Sequence, residues 1–306
     1  MSTKINNKFQ NYQNISGLFY KNKMQIIKQL ICSKNRTPHV PIQTVANDYS
    51  QLKNNQFVWF GHSTILFKIN DQLVLVDPVF NEVSAFAPHF KYTNEITTDI
   101  LPEIDILIIS HNHSDHLCVK SLKNIKAKNV VVPLNNKQHL AKLFKNEIIQ
   151  ELDWFQSTNI NGVNITCTPS QHNSQRTASD KNKSLWSGFV INDVYYTGDT
   201  GFNAEMFRDI HKNLPEIKYC FMEMGQYSPN WPTCHMQPSE TVEAFNILNG
   251  KQLFPIHFGK FCLGVHDWDE PAQLAKGFET AFVGQIGGIY QLEECVGKVY
   301  VHESFL

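Results

Sequence analysis

A histidine-rich segment follows one of the most apolar stretches of the chain. Residues 106–109 are all aliphatic, and four side chains that can bind a metal come directly after them: His111, His113, Asp115 and His116. In an extended loop, positions 111 and 113 point the same way, so both can reach one ion. Imidazole and carboxylate suit zinc, and they also accommodate manganese or iron. The segment predicts a metal site, in which Asp115 and His116 can serve a second ion beside the first.

A second ion needs ligands from elsewhere in the chain, and other strand ends are the expected source. Three candidates stand a few residues after a β-rich run: His172, Asp199 and His257. Taken alone, a histidine at a strand end more often bonds a backbone group than a metal. In this order after the histidine-rich segment, the three residues favour a binuclear metal centre.

The elements that must position these residues begin after residue 56. Short β-rich runs recur there, at 57–60, 64–69, 73–76, 106–109, 130–132, 163–168, 188–191, 194–197, 219–222 and 253–256. Helical patterns separate some of them, at 137–144, 203–210, 238–248 and 271–278. Strands that are apolar throughout are expected to be buried on both faces. The pattern predicts one layered α/β catalytic domain over residues 57–306.

Charge is distributed unevenly along the 306 residues. The net charge is −1, but residues 1–56 carry +7 and the remaining 250 residues carry −8. Residues 1–56 show no clear strand pattern and are predicted to be a basic N-terminal extension. Residues 19–32 have apolar positions at helical spacing with lysines around them, which predicts a helix that docks on the domain or lies on a membrane surface. The acidic remainder argues against a nucleic-acid partner.

The seven cysteines are odd in number, scattered and never in a CxxC pair. This argues against a disulfide framework and against a cysteine-based zinc site. No run of 18 apolar residues predicts a membrane-spanning helix, and the N-terminus lacks the pattern of a secretory signal. We therefore expect a cytoplasmic protein, and leave open both a homodimer and peripheral contact with the inner face of the membrane through residues 1–56.

The order of the motifs resembles the metallo-β-lactamase superfamily of binuclear metallohydrolases. Within it, the chain is most similar to the branch of N-acyl-phosphatidylethanolamine-hydrolysing phospholipases D and their bacterial relatives. The similar pieces are WFGHST (59–64), LVDP (75–78), HNHSDH (111–116), ELDW (151–154), TPSQH with Arg176 (168–176), LWSGF (185–189), YTGDTG (196–201), MEMGQYSPNW (222–231) and HMQPSE (235–240). The resemblance implies an αββα sandwich of two mixed sheets flanked by helices.

The resemblance also implies how two zinc ions, or manganese or iron in their place, would be held. One ion would bind His111, His113 and His172, the other would bind Asp115, His116 and His257, and Asp199 would bridge them. The phospholipase branch further implies that Asp77 and His235 contribute to activity. Asp77 could orient a ligand imidazole.

Four residues beside these motifs are candidates for substrate binding: His62, Gln171, Asn173 and Arg176. Arg176 could clamp a phosphate, and His62 could face the substrate or support a ligand. The branch usually has tryptophan where this chain has Asn173, and an acidic residue where it has Gln237. The acyl or headgroup pocket is therefore expected to differ from that of the branch.

The function implied is hydrolysis of N-acyl-phosphatidylethanolamine to phosphatidic acid and N-acylethanolamine. A metal-bridging hydroxide would attack phosphorus, and His235 or Asp115 would protonate the leaving group. Two divalent ions, two aspartates and one hydroxide leave a net charge of about +1, which suits an anionic phosphodiester. One alternative is a soluble hydrolase of lactones or small phosphodiesters, similar to ascorbate-6-phosphate lactonases. Another is a catalytically silent binding protein, against which the presence of Asp115 and Asp199 argues.

Overall fold

The computed structural model describes residues 1–12, 35–84, 87–145 and 148–306. The strands are β1 (Lys4–Ile5), β2 (Lys8–Phe9), β3 (Gln56–Trp59), β4 (Ile65–Ile69), β5 (Gln72–Val76), β6 (Ile104–Ile108), β7 (Ala127–Pro133), β8 (Ile149–Leu152), β9 (Ser157–Ile160), β10 (Val163–Thr168), β11 (Gly188–Ile191), β12 (Val194–Tyr196), β13 (Tyr219–Glu223), β14 (Gln252–Ile256), β15 (Phe282–Val283), β16 (Ile289–Gln291) and β17 (Tyr300–Val301). The helices are α1 (Val119–Leu122), α2 (Lys137–Leu140), α3 (Ala204–Asn213), α4 (Pro238–Leu248), α5 (Glu270–Ala275) and α6 (Leu292–Cys295). Single 3-10 turns cover Tyr49–Gln51, Thr98–Ile100 and Glu303–Phe305.

Two mixed sheets face each other. One has seven strands in the order β16-β3-β4-β5-β6-β7-β8, and the other has six in the order β14-β13-β12-β11-β10-β9. Their inner faces meet through aromatic rings: the ring centre of Phe57 lies 5.1 Å from that of Phe221 and 5.0 Å from that of Phe254. Helices pack against β8, β13 and β14. The predicted αββα sandwich is confirmed.

Several predicted elements coincide with the observed ones. The expected runs at 163–168 and 188–191 are β10 and β11, and the expected helix at 238–248 is α4. In α4, Pro238 occupies the first turn and Glu240 accepts a hydrogen bond from the backbone of Gln237, which satisfies an N–H at the helix start. The helix expected at 137–144 is shorter, because α2 ends at Leu140 and the chain continues in hydrogen-bonded turns.

The N-terminal residues pack onto the domain. The sequence of residues 1–56 shows no strand pattern, yet β1 and β2 pair there as a hairpin. Strands of two residues are too short to show alternation, and Asn6 and Asn7 form the turn with positive φ angles of 51° and 60°. Phe9 is buried in the same core as Ile42 and Tyr49. The helix predicted over residues 19–32 lies outside the described residues.

The six cysteines in the described part of the chain are free and buried. Among the described residues, none of the helices combines the length and the hydrophobicity that a membrane-spanning helix needs.

Candidate metal centre

Polar side chains follow the carboxyl ends of strands in both sheets. β5 and β6 are parallel, and they lead into Asp77 and into residues 110–116. In the other sheet β10, β12 and β14 run in one direction, and His172, Asp199 and His257 follow them. Because the sheets face each other, these strand ends meet. All seven predicted metal ligands lie in one cluster there.

The first group of ligands consists of His111, His113, His172 and Asp199. Nδ1 of His113 lies 2.9 Å from Nε2 of His111 and 3.1 Å from Nε2 of His172. Oδ2 of Asp199 lies 3.8 Å and 3.6 Å from the same two Nε2 atoms. The four ligand atoms all lie within 4.8 Å of one another. Three imidazole nitrogens and one carboxylate oxygen suit zinc, manganese or iron.

The second group consists of Asp115, His116 and His257, together with the other oxygen of Asp199. Oδ1 of Asp199 lies 3.0 Å from Nε2 of His116 and 3.1 Å from Nε2 of His257. Oδ2 of Asp115 lies 3.7 Å and 3.9 Å from these two nitrogens. Asp199 therefore turns one carboxylate oxygen toward each group, which is the arrangement that a bridging ligand requires.

Unpartnered polar atoms show that the second group fits a cation. Nε2 of His116, Nε2 of His257 and Oδ1 of Asp199 are buried and have no hydrogen-bond partner among the described residues. Buried polar atoms without partners are rare because their desolvation is costly. These three converge on one another, and a divalent cation between them would satisfy all three.

Contacts on the side away from the centre orient the imidazoles of the two groups. In four of them Nε2 faces the centre, while Nδ1 contacts an oxygen: His111 contacts Ser110 Oγ at 3.0 Å, His116 Asp77 Oδ2 at 2.6 Å, His172 the carbonyl of Cys234 at 3.1 Å, and His257 the carbonyl of Gly225 at 3.2 Å. An acceptor behind a ligand histidine keeps its proton on the far nitrogen and orients the ring. These contacts leave Nε2 as the nitrogen of each of the four rings that faces the centre.

Burial and mutual proximity set the charge state of the first group. Burial, together with the neighbouring imidazoles, lowers the pKa of His111 and His172 well below 6.5. These rings are therefore neutral, as metal ligation requires. Burial opposes ionisation of Asp199, but the facing imidazoles of His116 and His257 outweigh it and lower the pKa of Asp199 well below 3.8.

Asp77 lies beneath the second group. Its side chain is fully buried, and its Oδ2 contacts His116 and accepts a hydrogen bond from the Tyr196 hydroxyl at 2.5 Å. The backbone N–H of Ser110 donates to its other oxygen at 2.7 Å. Asp77 thus holds the His116 ring in place from the interior, away from any surface that a substrate could reach.

His62 lies behind Asp115. It is fully buried, adopts a positive φ of 54° and places Nε2 3.1 Å from Oδ2 of Asp115. Its ring centre lies 4.3 Å from that of His257, and burial lowers the pKa of His62 to about 3. These contacts hold His62 against Asp115, and its predicted role toward substrate stays a prediction.

The other candidates for substrate binding also make internal contacts. The Arg176 guanidinium donates to the carbonyls of Asn112 and Leu117, at 2.7 and 2.9 Å, and so holds the loop that carries the ligands of both groups. The amide of Gln171, which is buried, donates to the carbonyls of residues 202 and 233. Asn173 contacts Sγ of Cys234 at 3.5 Å. Their roles in binding substrate stay predictions.

Two residues that the sequence did not single out belong to the centre. Oδ1 of Asn11 accepts a hydrogen bond from the backbone N–H of His172 at 2.9 Å and lies 3.2 Å from Nε1 of Trp186. No pattern in the sequence connects residue 11 to residue 172. Glu223 ends β13 and contacts His235, Oε2 to Nδ1, at 2.8 Å. The sequence does contain an indication of Glu223, because this polar residue stands at a strand end, as the candidate ligands do.

The fold and this donor set agree with comparisons to known proteins. Residues 72–258 match the beta-lactamase superfamily domain. The chain belongs to the metallo-β-lactamase superfamily. Among its relatives, N-acyl-phosphatidylethanolamine-hydrolyzing phospholipase D 1 of Caenorhabditis elegans is 29% identical over 252 residues, which cover 75% of this chain and 71% of the relative.

Two further proteins are similar to this chain, one in sequence and one in structure. An uncharacterized protein of Mycobacterium tuberculosis is 32% identical over 230 residues, which cover 70% of this chain and 61% of that protein. The chain thus spans less than two thirds of the length of this relative. The metallo hydrolase Igni18 of Ignicoccus hospitalis shares the fold, with a TM-score of 0.58 and 20% identity over 77% of this chain and 97% of Igni18. Superfamily membership and the two groups together identify this cluster as a candidate metal centre.

Proposed function

We propose that the protein hydrolyses the phosphodiester of an N-acyl-phosphatidylethanolamine, releasing phosphatidic acid and N-acylethanolamine. The observation that supports a hydrolytic centre is the position of Asp199, whose two carboxylate oxygens face separate ligand groups. The substrate is supported by the similarity to the phospholipase D of Caenorhabditis elegans. The motifs of residues 151–154 and 222–231 support the same branch.

Two divalent cations in the two groups would activate water at neutral pH and neutralise charge that develops on the phosphate oxygens. The chain's own residues prepare that chemistry. Asp199 fixes the two groups relative to each other, and Arg176 fixes the loop between Asn112 and Leu117. Asp115 and Asp199 offset about half of the charge that two divalent cations bring, and the remainder favours a singly charged diester.

The proposed substrate resides in membranes, so the protein must meet a lipid surface. The charge of +7 on residues 1–56 would be attracted to anionic lipids. We propose peripheral contact with the inner face of the membrane by a cytoplasmic protein. Sedimentation with vesicles that contain phosphatidylserine, in low and high salt, tests this. Equal sedimentation with neutral vesicles would contradict it.

The experiment that tests the activity combines metal analysis with product analysis. Metal-loaded protein is incubated with N-acyl-phosphatidylethanolamine in mixed micelles, and the lipids are identified by mass spectrometry. We expect phosphatidic acid and N-acylethanolamine from the wild type, and neither from Asp199→Asn. Wild-type protein that holds two metals but yields no product would show that the substrate is wrong. A panel of lactones and small phosphodiesters would then identify the class of substrate.

A further inference from the structure

Gln226 is a buried glutamine in the motif at 222–231, and the proposed reaction gives it no role. It lies three residues after the end of β13, and His257 directly follows the parallel neighbour β14. Both residues have positive φ angles, 64° for Gln226 and 72° for His257. Glycine adopts such a conformation with less strain, so the contacts of the Gln226 side chain should explain its presence.

The amide of Gln226 uses all four of its hydrogen-bonding positions on the loop that follows β14. Nε2 donates to the carbonyls of His257 and Phe261, both at 3.0 Å. Oε1 accepts from the backbone N–H groups of Leu263 at 2.6 Å and Gly264 at 2.8 Å. An amide offers two donors and two acceptor lone pairs. One side chain therefore fixes the start of this loop relative to its end.

Gly225 contacts the same histidine. Its carbonyl oxygen lies 3.2 Å from Nδ1 of His257. A Cβ atom on Gly225 would lie only 2.2 Å from the carbonyl oxygen of His257, so the close approach of the two backbones requires glycine. Residues 225 and 226 thus contact both the ring and the backbone of His257, whose Nε2 faces Oδ1 of Asp199 in the second group.

The same loop packs against the residue that contacts Asp115. The ring centre of Phe261 lies 5.0 Å from that of His62, and Nε2 of His62 lies 3.1 Å from Oδ2 of Asp115. Asp115 and His257 are both candidate ligands of the second group. A displacement of the loop would therefore disturb two of them.

We propose that Gln226 is a positioning residue for the second group. It fixes the backbone of His257 directly, and the place of Asp115 through Phe261 and His62. Among the described residues, the hydrogen bonds of the Gln226 side chain all go to this loop and none to the first group. This inference rests on the metal centre of the proposed function and not on the substrate, so it predicts a loss at one ion only.

Gln226→Met tests the role, because methionine has nearly the same length and no amide. The measurement is cadmium NMR during titration with cadmium, in which each bound ion gives its own signal. We expect the affinity for the second ion to fall about tenfold, the lower end of the loss typical for groups behind a metal ligand, because Gln226 acts through the backbone. The signal of the second ion should shift, and that of the first should not.

Gln226→Gly separates the side chain from the strain of the backbone. Glycine removes the same four hydrogen bonds, but it accommodates the positive φ angle. We expect it to reproduce the selective loss of Gln226→Met. Wild-type affinity in this variant would show that the amide is not needed, and would overturn the inference.

Gln252→Met is the matched control. Gln252 is also a fully buried glutamine, and its Nε2 donates to the carbonyl of Lys298 at 3.1 Å. It lies at the start of β14, at the opposite end of the strand from His257. The variant removes a buried amide from the same strand, so it should lower the free energy of unfolding and leave both cadmium signals unchanged.

Hydrogen exchange in the zinc-loaded protein gives a second readout. The backbone N–H groups of Leu263 and Gly264 lose their acceptor in Gln226→Met and should exchange faster, whereas Gln252→Met should leave them protected. Unchanged exchange at both amides in Gln226→Met would show that other contacts hold the loop, and would contradict the proposal.

Two further outcomes would overturn the inference. Equal weakening of both ions by Gln226→Met would make Gln226 a general support of the fold, and the same selective loss in Gln252→Met would show that any loosening of β14 suffices. Wild-type protein that binds two cadmium ions but, loaded with zinc, yields no product from N-acyl-phosphatidylethanolamine refutes the proposed substrate alone, because the measurements on Gln226 use no substrate.

Discussion

The second group is held from the interior of the sheets, whereas the first is held partly by the N-terminal segment. Behind His116 stand Asp77 and Tyr196, both fully buried. Behind His172 stand Asn11, which is 161 residues away in sequence, and the carbonyl of Cys234. The His116 ring of the second group is thus supported by strand ends, and the His172 ring of the first group by segments that must dock onto them. Metal binding at the two groups should therefore depend on different parts of the chain.

The largest effect should come from the residue that the two groups share. Asp199→Asn removes the negative charge that faces both groups, so we expect it to lower the content of both metals and to reduce turnover by about 1,000-fold or more. Metal analysis after dialysis measures the first effect. A variant that keeps two metals and full turnover would refute the bridging role.

Asp77→Asn should weaken the second group selectively. Loss of the acceptor behind a ligand imidazole typically costs 10–100-fold in metal affinity, so we expect a loss of about that size at His116. Cadmium NMR, in which each bound ion gives its own signal, distinguishes the two groups. The control is Asp105→Asn, because Asp105 lies near the start of β6 and bonds Lys128. Equal weakening at both groups would break the distinction between them.

Asn11→Ala should weaken the first group selectively. It removes the acceptor of the His172 backbone N–H, and a hydrogen bond of about 1 kcal/mol corresponds to roughly fivefold in affinity. Gln10→Ala is the control, because its side chain bonds only the carbonyl of Lys8 in the described structure. Unchanged affinity at the first group would show that the N-terminal segment merely covers the site.

A separate effect, on stability rather than on metal binding, concerns the buried residue Lys260. Lys260 is buried, with Nζ bonded to the carbonyl of Val79 near the ring of Phe80, and His89 and Cys118 are the titratable groups beside it. Burial lowers the pKa of Lys260 to about 7 from 10.5. Between these values the lysine is uncharged when folded and charged when unfolded, so the wild type gains stability as pH rises.

Lys260→Met removes the titratable amine, and with it this dependence of stability on pH. We expect the free energy of unfolding of the wild type, measured relative to that of the variant, to increase from pH 7 to pH 10. Denaturant titrations at several pH values measure it. A difference that stays constant with pH would show that Lys260 is charged in the folded protein.

The cluster of candidate metal ligands could be predicted because its members follow strands with a strong apolar signal. His111, Asp199 and His257 come within a few residues of such runs, and local sequence therefore places them at strand ends of the two facing sheets. Glu223 obeys the same rule but was not singled out, since a lone acidic residue has no metal-ligand spacing around it. Asn11 could not be predicted, because its contact with His172 exists only once distant segments have packed.

The strands show the same difference between features that local sequence marks and features that only packing determines. The core strands β10 and β11 coincide with apolar runs, whereas β9, at the edge of its sheet, was not predicted. Edge strands face solvent along much of their length, and β9 has the polar sequence Ser-Thr-Asn-Ile, so no alternation marks it. Gln171 and Arg176 belong to a motif that the sequence shows, but only packing determines that their side chains contact backbone carbonyls.

The reach of the centre along the chain has a consequence for biosynthesis. Its ligands extend from residue 111 to residue 257, and Asn11 contributes from near the start. A nascent chain cannot complete the second group until His257 has left the ribosome and paired with Asp199. Products that end before residue 257 would therefore lack a complete second group, however well their earlier strands had folded.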